Sequence, residues 1–183
     1  ALILTGMGKG FCAGQDLGDV KRLGHVNVGQ LLTEEYTPLI TALAECPIPT
    51  IASVNGPAAG GGANLALAAD ICVAARSATF LQAFARIGLM PDCGGTYWLP
   101  RRVGAARAMG LAMLADQISA DQAADWGLIW EVVDDADLQT RTLEIANRLA
   151  RGPTAAYARM KQALRGSMMA SLEEQLSLEA ELQ

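Results

Sequence analysis

Three consecutive glycines, Gly60, Gly61 and Gly62, stand where a β-branched run, Thr50–Val54, gives way to a helix-forming run, Ala63–Ala68. Glycines at such a turn let a ligand oxygen approach backbone N–H groups, and the start of the helix adds positive electrostatic potential. A developing oxyanion, such as the enolate of a thioester, suits this arrangement. The alternative is that the glycines only allow the helix to pack closely on a sheet.

Asp92 is the second candidate for chemistry, because the four residues around it are apolar: Leu89, Met90, Pro91 and Cys93. Desolvation raises the pKa of a carboxyl group toward the working pH, which makes its carboxylate a better proton acceptor. We therefore predict that Asp92 moves a proton. Taken alone, an aspartate here could equally be a turn or cap residue.

Other chemistries fail on residue type and spacing. In the glycine-rich turn Gly6–Gly10, Lys9 is followed by glycine rather than by Ser or Thr, so the P-loop pattern is broken. Phe11 stands where a dinucleotide fingerprint needs its third glycine. A Ser-His-Asp triad would have to use the single histidine, His25, and the chain has no G-x-S-x-G sequence to carry the serine. The four cysteines form no CxxC pair, so we expect neither a metal site nor a disulfide scaffold.

Composition narrows the class of protein. The 183 residues suffice for one domain with a hydrophobic core, and 51% of them are hydrophobic. A net charge of -5 and the lack of a Lys/Arg run argue against a nucleic-acid binder. The longest uncharged stretch, Cys46–Ala69, contains three prolines and cannot form one continuous membrane helix. With no signal sequence, we expect a cytoplasmic protein without a membrane partner.

The order of predicted elements is that of an α/β fold. Strand, glycine turn, helix and strand follow one another from Thr50 to Ala74, which is the βαβ pattern. A buried strand is expected at Ala1–Thr5 and another strand at Leu128–Val133. Helices are predicted at Gln30–Glu45 with a kink at Pro38, at Ala105–Ala115, at Asp137–Arg151, and after the caps Ser119 and Ser171. Because the chain opens in a strand and stops inside a helical pattern, we expect it to be truncated at both ends.

Three segments carry a resemblance to a known family: Gly10–Leu17 (GFCAGQDL), Val54–Gly62 (VNGPAAGGG) and Gly88–Thr96 (GLMPDCGGT). In order and spacing the chain resembles the crotonase (enoyl-CoA hydratase/isomerase) family over essentially its whole length. The resemblance implies a spiral of ββα units in two stacked sheets, followed by a helical region. We predict a single crotonase-like domain over residues 1–183, with an α/β core in 1–134 and helices in 135–183.

In this family two backbone N–H groups hold the thioester oxygen, and the resemblance assigns this oxyanion hole to Gln15 and Gly61. Asp92 stands where the isomerases and aryl-CoA dehalogenases of the family carry their working aspartate. Further substrate-binding residues are implied around the oxyanion hole: Ala13, Asp16, Leu17 and Gly62. Asp16 would also hold its loop through hydrogen bonds to the backbone. No metal and no cofactor is implied, because coenzyme A is part of the substrate.

Hydratases of the family share two glutamates that activate water, and Asn64 and Phe84 occupy those positions here. The resemblance therefore favours an acyl-CoA isomerase that shuttles a proton with Asp92. The segments PDCGGT, ARAMGLA and WGLIWEVVDD resemble the members that isomerise the ring epoxide of phenylacetyl-CoA. The alternatives are a Δ3,Δ2-enoyl-CoA isomerase, an enoyl-CoA hydratase of β-oxidation, a dehalogenase and a non-catalytic homologue. The family also implies a homotrimer or a dimer of trimers.

Overall fold

The computed structural model describes residues 1–16 and 27–183, and it has the α/β architecture that the sequence predicts. The larger sheet is entirely parallel, and its strands lie in the order β1 (Leu2–Thr5), β2 (Thr50–Val54), β4 (Ile71–Ala75) and β7 (Glu131–Val133). The smaller sheet contains β3 (Ala58–Ala59), β5 (Thr79–Leu81) and β6 (Ile118–Ser119). In it, β5 pairs parallel with β3 and antiparallel with β6.

The helices of the described residues are α1 (Val28–Leu31), α2 (Thr37–Ala44), α3 (Gly61–Ala68), α4 (Gly95–Leu114), α5 (Ala120–Asp125), α6 (Leu138–Ala150), α7 (Thr154–Gly166) and α8 (Leu172–Leu182). A π-helical turn, Leu32–Tyr36, joins α1 to α2. Ser119 and Ser171 cap α5 and α8 as predicted, each accepting a hydrogen bond from a first-turn N–H group. None of these helices is both long and apolar enough to cross a bilayer.

Strand β2 is the centre of the larger sheet, and all five of its residues are buried. A strand with parallel neighbours on both sides has to be covered on both faces. Helix α3 and helix α6 both contact β2, and the Ser53 hydroxyl is hydrogen-bonded to that of Thr142 on α6 at 2.9 Å. Small residues such as Ala52 and Ala66 occupy the core between the layers. The alanine-rich composition thus lets α3 approach the sheet closely.

The helix predicted over Gln30–Glu45 is not one regular helix. The π-helical turn interrupts it, and Pro38 follows that turn directly, in the first turn of α2. The backbone stays helical through Tyr36 and Thr37, and the Thr37 N–H donates to the Leu32 carbonyl, so the irregularity predicted at Pro38 takes the form of the π-helical turn before it.

Helix α4 has non-helical backbone angles at Gly104 and so consists of two segments. The second segment is the helix predicted over Ala105–Ala115, and the first, which begins at Gly95, was not predicted. The run Thr96–Pro100 disfavours a helix by local propensity, since it holds β-favouring residues and a proline. Its helical form instead buries Leu99 and Val103, one turn apart, in the core. Tertiary packing therefore overrides the local signal.

Two predicted strands also differ from the structure. Strand β1 lies at the edge of the larger sheet, and its residues are exposed or half-buried rather than buried. Only Glu131–Val133 of the segment predicted as a strand over Leu128–Val133 pairs with β4. Leu128 and Ile129 are buried in the core before the strand begins.

The Arg102 side chain connects α4 to the carboxyl end of α3. Its guanidinium donates to the carbonyl oxygens of Leu67 at 2.7 Å, Ala69 at 3.1 Å and Leu128 at 3.2 Å. Carbonyls at the end of a helix lack partners within that helix, so a cation is well placed there. Burial lowers the pKa of this guanidinium, because desolvation disfavours its charged form. Arg102 therefore holds the helix that carries the glycine turn.

We predict that Arg102→Met lowers the free energy of unfolding by about 2–4 kcal/mol, because buried carbonyl oxygens lose their donors. The measurement is a urea unfolding curve. Arg107→Met is the matched control, since the guanidinium of Arg107 is exposed and only lies over the Trp126 ring at 5.0 Å. It should cost no more than about 0.5–1 kcal/mol. Equal unfolding midpoints for the two variants would contradict the role assigned to Arg102.

Candidate active site

The glycine turn before α3 is held in a conformation that only glycine adopts readily. Gly60 has φ 54° and ψ −127°, and its N–H donates to Leu81 in the smaller sheet at 2.8 Å. Gly61 is the first residue of α3, so its N–H has no carbonyl one turn earlier in the helix. This amide stands at the positive end of the helix dipole, where an anionic oxygen is stabilised.

The segment before Gln15 passes directly beside this amide. Cys12 pairs with Ala58 as an isolated parallel bridge, and the Ala59 N–H donates to the Cys12 carbonyl at 2.9 Å. A Cβ atom on Gly14 would lie 3.5 Å from the Gly61 nitrogen. The structure therefore places the two segments predicted to form the oxyanion hole side by side.

The remaining residues predicted to bind substrate are placed differently. Ala13, Gln15 and Asp16 are exposed. Gly62 is buried, and a Cβ atom there would collide with the carbonyl oxygen of Cys12. Its structural role is to allow α3 to touch the Cys12 backbone. Leu17 lies outside the described residues.

Asp92 is the first residue of a tight turn that leads into α4. The Gly95 N–H donates to the Asp92 carbonyl at 2.8 Å, and the two residues between them have positive φ angles, 48° at Cys93 and 77° at Gly94. These features define a type I′ turn. A cysteine in the left-handed region is uncommon, and such backbone strain tends to occur at functional sites.

The turn points the Asp92 side chain at the glycine turn. A Cβ atom on Gly61 would lie 3.5 Å from Asp92 Oδ1 and 3.2 Å from Cys93 Sγ. The Asp92 carboxylate and the start of α3 thus face the same small space. A thioester whose oxygen is bound at the Gly61 N–H would have its α-carbon near a proton acceptor.

Burial raises the pKa of the Asp92 carboxyl above its ordinary value, and a hydrogen bond from the Cys93 thiol opposes part of this shift. The direction is the one predicted from the apolar neighbours, although Leu89 and Met90 are themselves exposed. Burial and then the neighbouring Asp92 raise the pKa of Cys93 to about 12, so Cys93 is a neutral thiol donor at pH 7. Within residues 1–16 and 27–183, His, Cys, Asp and Glu form no group of three that could hold a metal ion.

A cavity of about 430 Å³ opens beside Asp92, between the Leu89–Gly94 loop and the α1–α2 segment. Most of its lining is apolar, with Leu32 and Ile40 among the residues opposite the loop, and Tyr36 adds a phenol. Burial raises the pKa of Tyr36, and Cys93 and Asp92 raise it further. Sequence reasoning did not identify Tyr36, because nothing in its local sequence indicates that it faces Asp92.

Asn64 and Phe84, at the two positions expected for hydratase glutamates, are both buried. The Asn64 side chain donates from Nδ2 to the Asp92 carbonyl at 2.8 Å and accepts at Oδ1 from Gln82 Nε2 at 2.8 Å. The Phe84 ring lies 3.7 Å from the position of a Cβ atom on Gly60. Both positions are therefore filled by uncharged side chains that support the two turns.

A family model described as enoyl-CoA hydratase/isomerase matches residues 1–183. A Rhodobacter capsulatus protein described as a probable enoyl-CoA hydratase is 56% identical over 183 residues, covering 100% of this chain and 71% of that protein. The 1,2-epoxyphenylacetyl-CoA isomerase of Escherichia coli K12 is 51% identical over 185 residues, again covering 100% and 71%. A crystal structure of an enoyl-CoA hydratase from Polaromonas sp. JS666 has a TM-score of 0.91 at 34% identity, covering 98% of this chain and 71% of the other. The chain therefore belongs to the enoyl-CoA hydratase/isomerase family.

Proposed function

We propose that this member of the family is an acyl-CoA isomerase with Asp92 as its proton shuttle. The observation that carries the proposal is the placement of the Asp92 carboxylate opposite Gly61, at the start of α3. The two positions that would supply water-activating glutamates in a hydratase hold Asn64 and Phe84 instead. A single carboxylate is enough for proton transfer within one molecule, whereas hydration also requires a positioned water.

In the proposed reaction the thioester oxygen accepts hydrogen bonds from the backbone N–H groups of Gly61 and Gln15. These donors stabilise negative charge that develops on the oxygen as the α-proton leaves. A Cβ atom on Gly14 would lie 3.5 Å from the Gly61 nitrogen, and this closeness supports pairing the two segments. Ala13, Asp16, Leu17 and Gly62 belong to the same proposed binding region.

Asp92 then takes the proton from the carbon α to the thioester, and the electron pair moves to the thioester oxygen to give an enolate. The same carboxyl group returns the proton to a carbon further along the acyl group, and the carbonyl re-forms. No atom is gained or lost, and the proposal requires no cofactor besides the coenzyme A of the substrate. Burial of Asp92 favours this role, because a raised pKa makes a carboxylate a stronger base.

The substrate that we propose is the ring epoxide of phenylacetyl-CoA. The enzyme would then act in phenylacetate catabolism, in the cytoplasm. The support is the 51% identity to an isomerase of that substrate. The largely apolar cavity of about 430 Å³ next to Asp92 also suits a six-membered ring. In this version of the reaction the α-proton returns to a ring carbon as the epoxide ring expands.

A second candidate is hydration of an enoyl-CoA, supported by the 56% identity to a protein described as a probable enoyl-CoA hydratase. In this chain such a reaction would have to use Asp92, together with a water bound by other groups.

The oligomer that we propose is the trimer, or dimer of trimers, of the family. Exposed apolar side chains on and next to α7 and α8 support such an interface, including Leu164, Met169 and Leu172.

A panel of CoA thioesters separates the candidate functions. We expect double-bond migration, and wash-in of solvent deuterium α to the thioester, with β,γ-unsaturated and ring-epoxide substrates. Hydration of crotonyl-CoA should be roughly 10²-fold slower than isomerisation, since no second carboxylate positions water. A 4-chlorobenzoyl thioester should release no chloride. Hydration as fast as isomerisation would favour the hydratase and contradict the proposal.

Asp92→Asn should remove the base while keeping the shape of the side chain. We expect isomerisation and deuterium wash-in to fall by roughly 10²–10⁴, with little change in binding of the thioester. For the wild type, turnover should fall as the pH drops through the raised pKa of Asp92, because only the ionised form accepts a proton. A folded variant with wild-type exchange would show that another group is the base.

The same variant makes a prediction about stability, measured by calorimetry at two pH values. Because the folded-state pKa of Asp92 is raised, the proton binds the folded protein more tightly, and that stabilisation is lost as the pH rises through this pKa. At pH 7 Asp92→Asn should therefore melt at or above the wild-type temperature. The difference should vanish below about pH 3, where the wild-type carboxyl is neutral in both states. A lower Tm at pH 7 would point to a structural role.

Two glycine variants separate the proposed reaction space from packing. A methyl group on Gly61 would lie 3.5 Å from Asp92 Oδ1 and 3.2 Å from Cys93 Sγ and would crowd the space proposed for the thioester, so Gly61→Ala should fold and lose about 10²-fold in turnover, although it keeps its backbone N–H. A methyl group on Gly62 would meet the Cys12 backbone, so Gly62→Ala should lower the free energy of unfolding by about 1–3 kcal/mol. Turnover and urea unfolding measure both. Normal turnover in Gly61→Ala would show that the thioester does not react in the space between Gly61 and Asp92.

A further inference from the structure

We propose that Asn64 and Gln82 form a buried amide relay that positions Asp92 relative to the oxyanion hole. Neither residue lines the cavity beside Asp92, and this proposal rests on the proposed function only for its kinetic readout. Asn64 occupies the position expected for a hydratase glutamate. Together with Gln82 it would instead hold the turn that carries Asp92.

Both the NH₂ group and the oxygen of the Asn64 side chain are hydrogen-bonded. Asn64 has no exposed surface, and Gln82 is 4% exposed. Nδ2 of Asn64 donates to the Asp92 carbonyl at 2.8 Å, and Nε2 of Gln82 donates to Oδ1 of Asn64 at 2.8 Å. Buried amides whose groups are paired in this way are held rigidly, because releasing either bond leaves an unpaired polar atom without water.

The direction in which the two amides point follows from the acceptor at the end of the relay, the Asp92 carbonyl. A backbone carbonyl can only accept, so Asn64 has to turn its NH₂ group toward Asp92. Its oxygen then faces Gln82, which in turn has to present its own NH₂ group. The orientation of both amides thus follows from the Asp92 carbonyl, and it leaves Oε1 of Gln82 buried without a hydrogen-bond partner among the described residues.

The relay reaches Asp92 from the helix that also carries the oxyanion amide. Gly61 begins α3 and Asn64 lies in its first turn, so one rigid element supplies both the Gly61 N–H and the brace on the Asp92 turn. The approach is very close: a Cβ atom on Gly95 would collide with the Asn64 amide. Because the Asp92 carbonyl accepts from both Gly95 and Asn64, the separation between base and oxyanion donor is set by α3 itself.

The relay is also electrically neutral, which matters for a buried carboxyl group. Asp92 is the only acidic residue among the described residues that line the cavity. The titratable groups around it in the described segments are Cys93 in its own turn and Tyr36 in the facing segment, with Glu35 and Cys12 near Tyr36. A carboxylate at position 64 would add a like charge next to Asp92 and remove the donor to its carbonyl.

Asn64→Asp tests the relay, because an aspartic acid donates to the Asp92 carbonyl only while it is protonated. We expect kcat for α-proton exchange to fall by about 10–100-fold at pH 8, as a misplaced base does, with KM changed less than about threefold. The loss should shrink as the pH is lowered and the introduced carboxyl group becomes protonated. A folded Asn64→Asp enzyme with the kcat and pH profile of the wild type would overturn the proposal.

Gln82→Met and Ser53→Ala complete the set. Gln82→Met leaves Asn64 in place but removes the bond that orients its amide, so we expect kcat to fall several-fold without a change in KM, and this variant decides the question if Asn64→Asp does not fold. Wild-type kcat in Gln82→Met would remove Gln82 from the relay. Ser53→Ala is the matched control, since it removes a buried hydrogen bond to Thr142 away from the site. It should lower Tm and leave the pH profile unchanged.

A carbon-13 titration of the Asp92 carboxyl separates this inference from the proposed function. The resonance is assigned by its loss in Asp92→Asn, and its midpoint is read without any substrate. In Asn64→Asp the midpoint should move to higher pH, because a second carboxyl group lies next to the first. An unchanged midpoint would overturn the inference. A wild-type protein that exchanges no thioester would instead overturn the proposed function and leave this titration valid.

Discussion

The close approach of the first turn of α3 to the Cys12 backbone is the contact on which the site depends. It is possible only because Gly62 has no side chain, since a Cβ atom there would collide with the Cys12 carbonyl. The contact brings Gly14 beside the Gly61 nitrogen, and it leaves the first amide of the helix facing the space in front of Asp92. Without it, α3 would have to move away from the segment that precedes Gln15, and the two segments proposed to form the oxyanion hole would separate.

The second consequence concerns Asp92, the proposed base. Asn64, within the same first turn, reaches the Asp92 carbonyl, so the position of the Asp92 turn depends on the position of α3. The Arg102 guanidinium holds the other end of this short helix by its terminal carbonyls. Both ends of α3 are therefore fixed by hydrogen bonds with other elements: Asn64 donates at the first turn, and Arg102 donates to the last carbonyls. A rigid support of this kind is what proton transfer requires, because small displacements of a base are costly in rate.

The site also shows a balance between stability and reactivity. Asp92 is partly desolvated, which raises its pKa, and its turn holds Cys93 at a positive φ angle. Each feature disfavours the folded state on its own and is maintained by the surrounding hydrogen bonds. Asp92 is the only carboxyl group among the described residues that line the cavity, and its partners, the Cys93 thiol and the Asn64 amide, are uncharged. A second buried carboxylate would increase the cost without improving proton transfer inside one molecule.

The sequence by itself determined the α/β class, the family, the glycine turn before a helix and the candidate base. These features depend on local residue order: β-branched runs, three adjacent glycines and an aspartate between apolar residues. The structure decided what depends on contacts between distant segments. Thr96–Pro100 is helical because it buries Leu99, against its local propensity. Tyr36 and Gln82 could not be assigned from sequence, because what matters is which residues they face across the fold, and that is set by packing rather than by neighbours in the chain.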